Sequence, residues 1–245
     1  MVLTLMVPVS DLEAGPLEEG LVLFDQRQDL QNAYASARIW EEALPTATGK
    51  ERYEMYWRLS AAYHFIATHE DGADRERIVE LLDRGQEAGK KGVDLNPEGV
   101  DALYWRSTNL AEKGQVQGIL KSLFLVKPLK ADMERIVELD PEYYKAFLLL
   151  GILYVKAPPW PLSIGNSQKG VETLEHAIQL NPQCLRCYLE LARAHLKRKD
   201  TKEAREAAEA LLDAGIEPGY EVETPEYRGQ AEEILSVIRA TVDPE

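Results

Sequence analysis

The sequence predicts an all-α fold, helix-turn-helix units stacked into a right-handed superhelix, and three observations carry that prediction. A short phrase occurs three times: Val93-Asp94-Leu95-Asn96-Pro97, Val137-Glu138-Leu139-Asp140-Pro141 and Ile178-Gln179-Leu180-Asn181-Pro182. Its copies stand 44 and 41 residues apart, a period in the range of stacked helical repeats. Apolar residues recur at intervals of three and four nearly throughout, and no stretch shows the alternation of a half-buried strand. Proline disfavours a helical residue before it yet fits a first helical turn, so each phrase ends one helix and opens the next.

In order, Pro16 to Arg27 reads as a first helix and Leu30 to Leu44 as its partner, with Ala33, Ala37, Trp40 and Ala43 on one stripe. After a loop at Pro45 to Gly49, Glu51 to Thr68 carries Tyr53, Tyr56, Leu59, Ala62, Tyr63 and Ile66 at core spacing. Ala73 to Leu95 follows, with Gly85, Gly89 and Gly92 on nearly one face; each costs about 1 kcal/mol against alanine in a helix, so a neighbouring backbone is expected to approach closely there. Val100 to Lys113 comes next, then Val116 to Leu139, in which Pro128 predicts a kink or break near Val126 and Lys127. Glu142 to Lys156 precedes Ala157 to Ser167, an exposed loop by its prolines. Gln168 to Leu180, Cys184 to Arg198, Lys202 to Ala214 and Pro225 to Val242 complete the helices, with Pro218 to Glu223 as a loose connector. The expected organisation is an arm over 1–15, a repeat domain over 16–217 with about four units and an insertion at 157–167, and a connector with a capping helix over 218–245.

The chain has 245 residues, 45% of them apolar, enough for a continuous core. Its net charge of −14 argues against a nucleic-acid surface, which needs a dense basic face to displace counterions. The longest later apolar run, Ala146 to Val155, falls well short of the roughly 20 residues that span a bilayer, so no transmembrane segment is expected. Met1 to Ser10 is apolar without a basic residue before it: either an ordinary packing arm or the trimmed remnant of an export signal. Cys184 and Cys187 stand at C-x-x-C spacing with no second pair for zinc and no neighbouring strand for a redox unit, which leaves inert helix residues or, in an exported protein, a local disulfide.

With each hinge proline as the last marked position of a 34-residue unit, further positions can be tested at fixed offsets. After Pro141, Phe147, Leu150, Gly151 and Tyr154 fill the aromatic, Leu, Gly and Tyr positions. After Pro182, Tyr188, Leu191 and Ala192 fit, with His195 in the tyrosine position; earlier, Tyr56, Leu59, Ser60 and Tyr63 fit. Gly170, Leu174 and Ala177, and Ser36, Trp40 and Ala43, give the small-large-small pattern of the partner helices. The copy after Pro97 departs, with Arg106 and Ser107 where Leu and Gly belong. The chain thus resembles the tetratricopeptide repeat proteins, which implies helical pairs and a concave inner face.

A narrower likeness rests on Asn96-Pro97-Glu98 with Leu103-Tyr104-Trp105, Gly118-Ile119-Leu120-Lys121-Ser122-Leu123, and Pro158-Pro159 with Gly165-Asn166-Ser167-Gln168-Lys169. Over about residues 50–215 the chain resembles the T-component family of tripartite ATP-independent periplasmic (TRAP) transporters. That resemblance implies a periplasmic or exported bacterial protein with a central opening, working with a periplasmic substrate-binding protein; the alternative is cytoplasmic. The only cysteines lie deep in the chain, so the sequence holds no counterpart to the lipid-acceptor cysteine of those lipoproteins.

Catalytic signatures are lacking: no H-E-x-x-H, no G-x-S-x-G, and Val171 stands where a phosphate-binding loop after Gly165 to Gly170 needs lysine. His64, His69, Glu70, Asp71 and Asp74 surround Gly72 as a solvated turn rather than a metal site, and His176 and His195 read as core or groove histidines. No enzyme activity and no cofactor are expected. The sites are expected on the inner face, where the first helices place Trp57, His64 and Phe65, then Asp101, Tyr104 and Thr108, then Lys145, Leu148, Ile152, Val155 and Lys156, and finally Arg186, Leu189, Arg193 and Lys197. This face is aromatic at one end and carries five cations at the other, a wall fit for a carboxylate or an acidic peptide end. Trp160 and Leu162, between prolines, form a candidate docking tooth. The expected partner is another protein or peptide; the TRAP likeness adds a small organic anion or apolar solute.

Overall fold

The computed structural model describes residues 15–242; apart from Gly15, the expected arm lies outside the described residues. Its helices are α1 (Pro16–Asp25), α2 (Leu30–Ala43), α3 (Gly49–His69), α4 (Arg75–Leu95), α5 (Val100–Gln117), α6 (Ile119–Leu139), α7 (Tyr144–Lys156), α8 (Ser167–Leu180), α9 (Leu185–Arg198), α10 (Thr201–Asp213) and α11 (Thr224–Val242). Among the described residues the sole β pairing is a single bridge between Pro159 and Gly165. Short connectors fold the helices into five antiparallel pairs, α1/α2 to α9/α10, with α11 as the cap. First helices also touch across pairs, α3 on α5, α7 on α9, and α9 on α11. The sequence reading counts about four units because only three of the four boundaries carry the hinge phrase; the α2/α3 boundary is the Pro45 loop.

The three hinges share one geometry. Asn96, Asp140 and Asn181 cap α4, α6 and α8 with φ/ψ of −139/91, −142/95 and −136/93°. Each side-chain Oδ1 accepts from the backbone N–H two residues on, at Glu98, Glu142 and Gln183 (3.0–3.3 Å). Asn and Asp are required because a short side-chain acceptor reproduces a backbone turn locally. The prolines stand in this turn and not in the first turn of the next helix, which starts three residues later.

The glycine stripe on α4 meets α5 as its spacing predicts. A Cβ at Gly89 would lie 2.9 Å from the backbone Cα and N of Arg106, one at Gly92 would strike Ala102, and one at Gly85 would strike Asn109. Asn109 is itself buried and donates to the Ser60 carbonyl and hydroxyl, while Ser60 donates to the Gly85 carbonyl at 2.7 Å, so α3, α4 and α5 are joined by one polar contact. Three apolar clusters run along the stack, under α1–α4, α5–α7 and α7–α11. This is the nearest-neighbour core of a repeat protein.

One sequence expectation is corrected, and one of the two open readings of the cysteines is the one the structure holds. Pro128 does not break the chain: α6 continues through it, and the break falls at Gly118, whose φ of 107° few other residues adopt. The carbonyl that Pro128 cannot bond belongs to Phe124, an exposed residue, where an unpaired carbonyl costs less than in the core. Cys184 and Cys187 are joined in a disulfide at the start of α9, where the Cys184 sulfur also accepts from the Cys187 N–H.

Gly89→Ala is expected to lower stability by about 1–2 kcal/mol, overpacking against the Arg106 backbone outweighing the gain in helix propensity. Gly229→Ala, at an open position in α11, is expected to raise it by up to about 1 kcal/mol. Urea denaturation of both variants checks the pair; shifts of the same sign would remove the close approach.

Candidate binding cavity

The first helices α3, α5, α7 and α9 turn one face inward and line a cavity of about 470 Å³. Trp57, His64, Phe65, Tyr104, Lys145, Leu148, Arg186, Leu189 and Arg193 all reach it, so nine of the thirteen candidate site residues are brought together. Ile152 is instead buried in the core beneath α7 and α9. Lys156 turns to Glu190 (3.9 Å), Lys197 donates to the Val155 carbonyl, and Trp160 stays on the exposed loop.

The opposite side of the cavity is closed by the connector between α10 and α11. Arg27, at 3% exposure, donates to both carboxylate oxygens of Glu223 (2.7–3.1 Å) and to the carbonyls of Gly219 (2.6 Å) and Phe24 (3.0 Å). Its guanidinium also lies over the Phe24 and Phe65 rings. His69 reaches Glu226 at 3.6 Å, and Val222 packs on the N-terminal core. Glu217 accepts from the Tyr144 hydroxyl and from Asn181 (2.9 Å). The C-terminal segment is therefore held to both ends of the stack, and the expectation of a loose connector at 218–223 is replaced by a strap across the lumen.

Of the five cations expected on the inner wall, three are engaged by the protein itself. Arg193 pairs with Glu190 (2.7 Å) and also donates to Gln230, Lys156 shares Glu190, and Lys197 caps a carbonyl. Lys145 and Arg186 make no ion pair among the described residues. The Lys145 ammonium stands 5.3–6.0 Å from the Trp105, Tyr144 and Tyr220 rings, a cation–π setting. Burial works against the Arg186 charge, but the oxygens of Tyr227, Tyr104, Glu190 and Tyr220 outweigh it and hold the guanidinium above its ordinary range. Burial pushes the Tyr104, Tyr144, Tyr220 and Tyr227 hydroxyls up, so they stay protonated as donors at neutral pH. Burial, then the charges of Arg186 and His69, press His64 down to about 3, leaving it neutral.

Sequence reasoning missed Phe24, Arg27, Tyr144, Glu217, Tyr220, Glu223 and Tyr227. Most stand outside the inner positions of the first helices, in α1 or the strap, which no repeat register covers. The available signal was Tyr220 and Tyr227 close together in an otherwise acidic run. Among the described residues no group of three or more His, Cys, Asp or Glu side chains is placed to hold a metal.

A family model described as regulator of microtubule dynamics protein 1-3 matches residues 17–157, and a tetratricopeptide repeat model matches residues 165–215. No curated protein matches the chain in sequence. Among solved structures, a tetratricopeptide protein of Thermus thermophilus is 17% identical, with 90% of this chain and 97% of that one covered and a TM-score of 0.65. PilW, described as a widely conserved type IV pilus biogenesis factor, is 14% identical, with 95% and 96% covered and a TM-score of 0.58. At these identities the likeness is one of fold: a tetratricopeptide-like helical repeat.

Arg27→Ala is expected to cost about 3–5 kcal/mol by leaving Glu223 buried without its partner, while Arg27→Met with Glu223→Leu recovers most of the loss. Chemical denaturation reads both, and hydrogen exchange should rise first in 214–223. For His64 the folded value lies below the ordinary 6.5, so below that pH the unfolded chain takes up a proton that the folded chain refuses. Stability is then full above pH 6.5 and declines as pH falls toward about 3, by no more than about 1 kcal/mol per pH unit for a ring partly open to the cavity. His64→Gln should flatten the decline between pH 6.5 and 5 in denaturation series.

Proposed function

The chain belongs to the regulator of microtubule dynamics protein 1-3 family, and on that premise we propose that it is a non-enzymatic binding protein that holds an acidic peptide or protein segment on its concave face. The observation that carries this reading is the pair of unpaired cations, Lys145 and Arg186, set among tyrosine donors and aromatic walls. A guanidinium offers a planar fork of donors that matches a carboxylate, and the tyrosine hydroxyls add neutral donors around it. Trp57, Phe65, Trp105 and Leu148 provide the apolar surface on which the rest of a segment lies. A rigid repeat presents such a surface with little rearrangement. The family's description ties its members to microtubule dynamics, and a protein partner is what such a role requires of this fold.

A second reading keeps the TRAP-transporter likeness: a periplasmic accessory that holds a small anionic or apolar solute in the lumen and docks on a substrate-binding protein. The Cys184–Cys187 disulfide favours it, since such bonds persist in oxidising compartments. A protein partner without bound solute supports the first reading, and a periplasmic binding protein or an extracted organic acid the second. Affinity capture of the tagged chain from its host, with mass spectrometry of co-eluting proteins and extracted small molecules, separates them.

Arg186→Ala is expected to weaken capture of the acidic partner about tenfold or more, as loss of a charge-assisted hydrogen bond does. Arg193→Ala, whose charge is already engaged by Glu190, is expected to change it little. Titration calorimetry with the captured segment gives the comparison; equal affinities for the wild type and Arg186→Ala would refute the anion-binding role.

A further inference from the structure

The most exposed large apolar side chains of the described residues fall in two short stretches. Ile119 (82%), Leu120 (71%) and Phe124 (82%) stand at the start of α6, and Trp160 (85%) and Leu162 (74%) on the loop after α7. The Asp140 hinge folds α7 back along α6, so both stretches lie at the same end of the stack. Helix lengths explain the exposure: α6 has 21 residues and α7 only 13, about 31 Å against about 20 Å, so the first turns of α6 project past their neighbour.

Charge distinguishes this end from the rest of the molecule. From Lys113 to Ala131 the chain has four lysines and no Asp or Glu, although 42 acidic residues are spread over the whole sequence. Lys113 pairs with Asp83 and Lys130 with Glu134, whereas Lys121 and Lys127 are exposed and make no ion pair among the described residues. Leu120, Phe124, Pro128 and Ala131 thus form an outward apolar stripe on α6, about 16 Å long, flanked by two free lysines.

We infer that the outer face of α6 is a docking surface for an anionic membrane, with Leu120 and Phe124 inserted at the headgroup boundary and Lys121 and Lys127 on the lipid phosphates. The stripe does not line the cavity and stands exposed along a single helix, which suits a fluid surface better than a protein anchor. Lysine stems reach along apolar surface to a charged plane, and tryptophan prefers the same boundary. Among the described residues no helix is long and apolar enough to cross a membrane, so this contact is peripheral. The net charge of −14 repels an anionic surface everywhere else and fixes which end faces it.

The test is co-sedimentation of the full chain with phosphatidylcholine vesicles, with and without phosphatidylserine, at low and high salt. Binding to the anionic vesicles is expected, weakened by salt. Leu120→Glu with Phe124→Glu should reduce it at least about tenfold, and Lys121→Ala with Lys127→Ala by about tenfold, with the far-UV circular dichroism unchanged. Arg186→Ala should bind as the wild type does, which keeps this result independent of the cavity reading. No binding to anionic vesicles, or full binding by the double glutamate variant, overturns the inference. Retention on immobilised polyglutamate without vesicle binding, lost in the same variant, would assign the face to an acidic protein instead and likewise overturn it.

Discussion

The structure depends on one buried ion pair, Arg27 with Glu223, which joins residues 196 positions apart. Taking a guanidinium out of water costs several kcal/mol unless its donors are matched. Here two carboxylate oxygens, two carbonyls and two aromatic rings match them. The strap cannot leave without exposing that cost, so an open stack of hairpins becomes a lumen bounded on its far side. The entropic penalty of closing so long a loop grows only with the logarithm of its length, which a single well-satisfied pair and the packing of Val222 can offset.

The same closure decides the electrostatics of the cavity. Six carboxylates line it: Glu223 is engaged by Arg27, Glu217 by Tyr144 and Asn181, Glu190 by Arg193 and Lys156, and Glu226 by His69, while Asp25 and Glu112 make no ion pair among the described residues. Lys145 and Arg186 are left over, surrounded by hydroxyls that burial keeps protonated. A chain of net charge −14 thereby keeps two cations without an ion-pair partner among the described residues at its centre. Overall charge predicts long-range repulsion; the local field follows from which pairs the fold completes.

This difference also sets what was legible in the sequence. Helix existence and order were legible, because hinge phrases, glycine spacing and apolar periodicity are local properties, and the Asx turns at Asn96, Asp140 and Asn181 are written within four residues. Inner-face positions followed from the repeat register, which is why Trp57, His64, Tyr104 and Arg186 converge. The strap was not legible: its contact with Arg27 has no period and no motif, and only the closed superhelix brings the two together. Lys156 and Lys197 were misread for the same reason, since whether a lysine faces a lumen or a neighbouring acceptor depends on tertiary neighbours. The break expected as one outcome at Pro128 does not occur, because the carbonyl it leaves unpaired belongs to an exposed residue.

Length mismatch between neighbouring helices is the step that links the two surfaces. Repeat packing asks each helix to cover the next, and α7 is short because the chain leaves it at Lys156 to make the loop that returns to α8. That loop is tied back by the Asn166 N–H to the Tyr154 carbonyl and by the Gly165 N–H to Pro158, where a Cβ at Gly165 would strike the Ala157 carbonyl. Its insertion therefore cannot extend α7 to cover the first turns of α6. The lumen and the outer stripe arise from opposite departures from regular stacking: one contact added across the repeat axis, and one contact withheld along it.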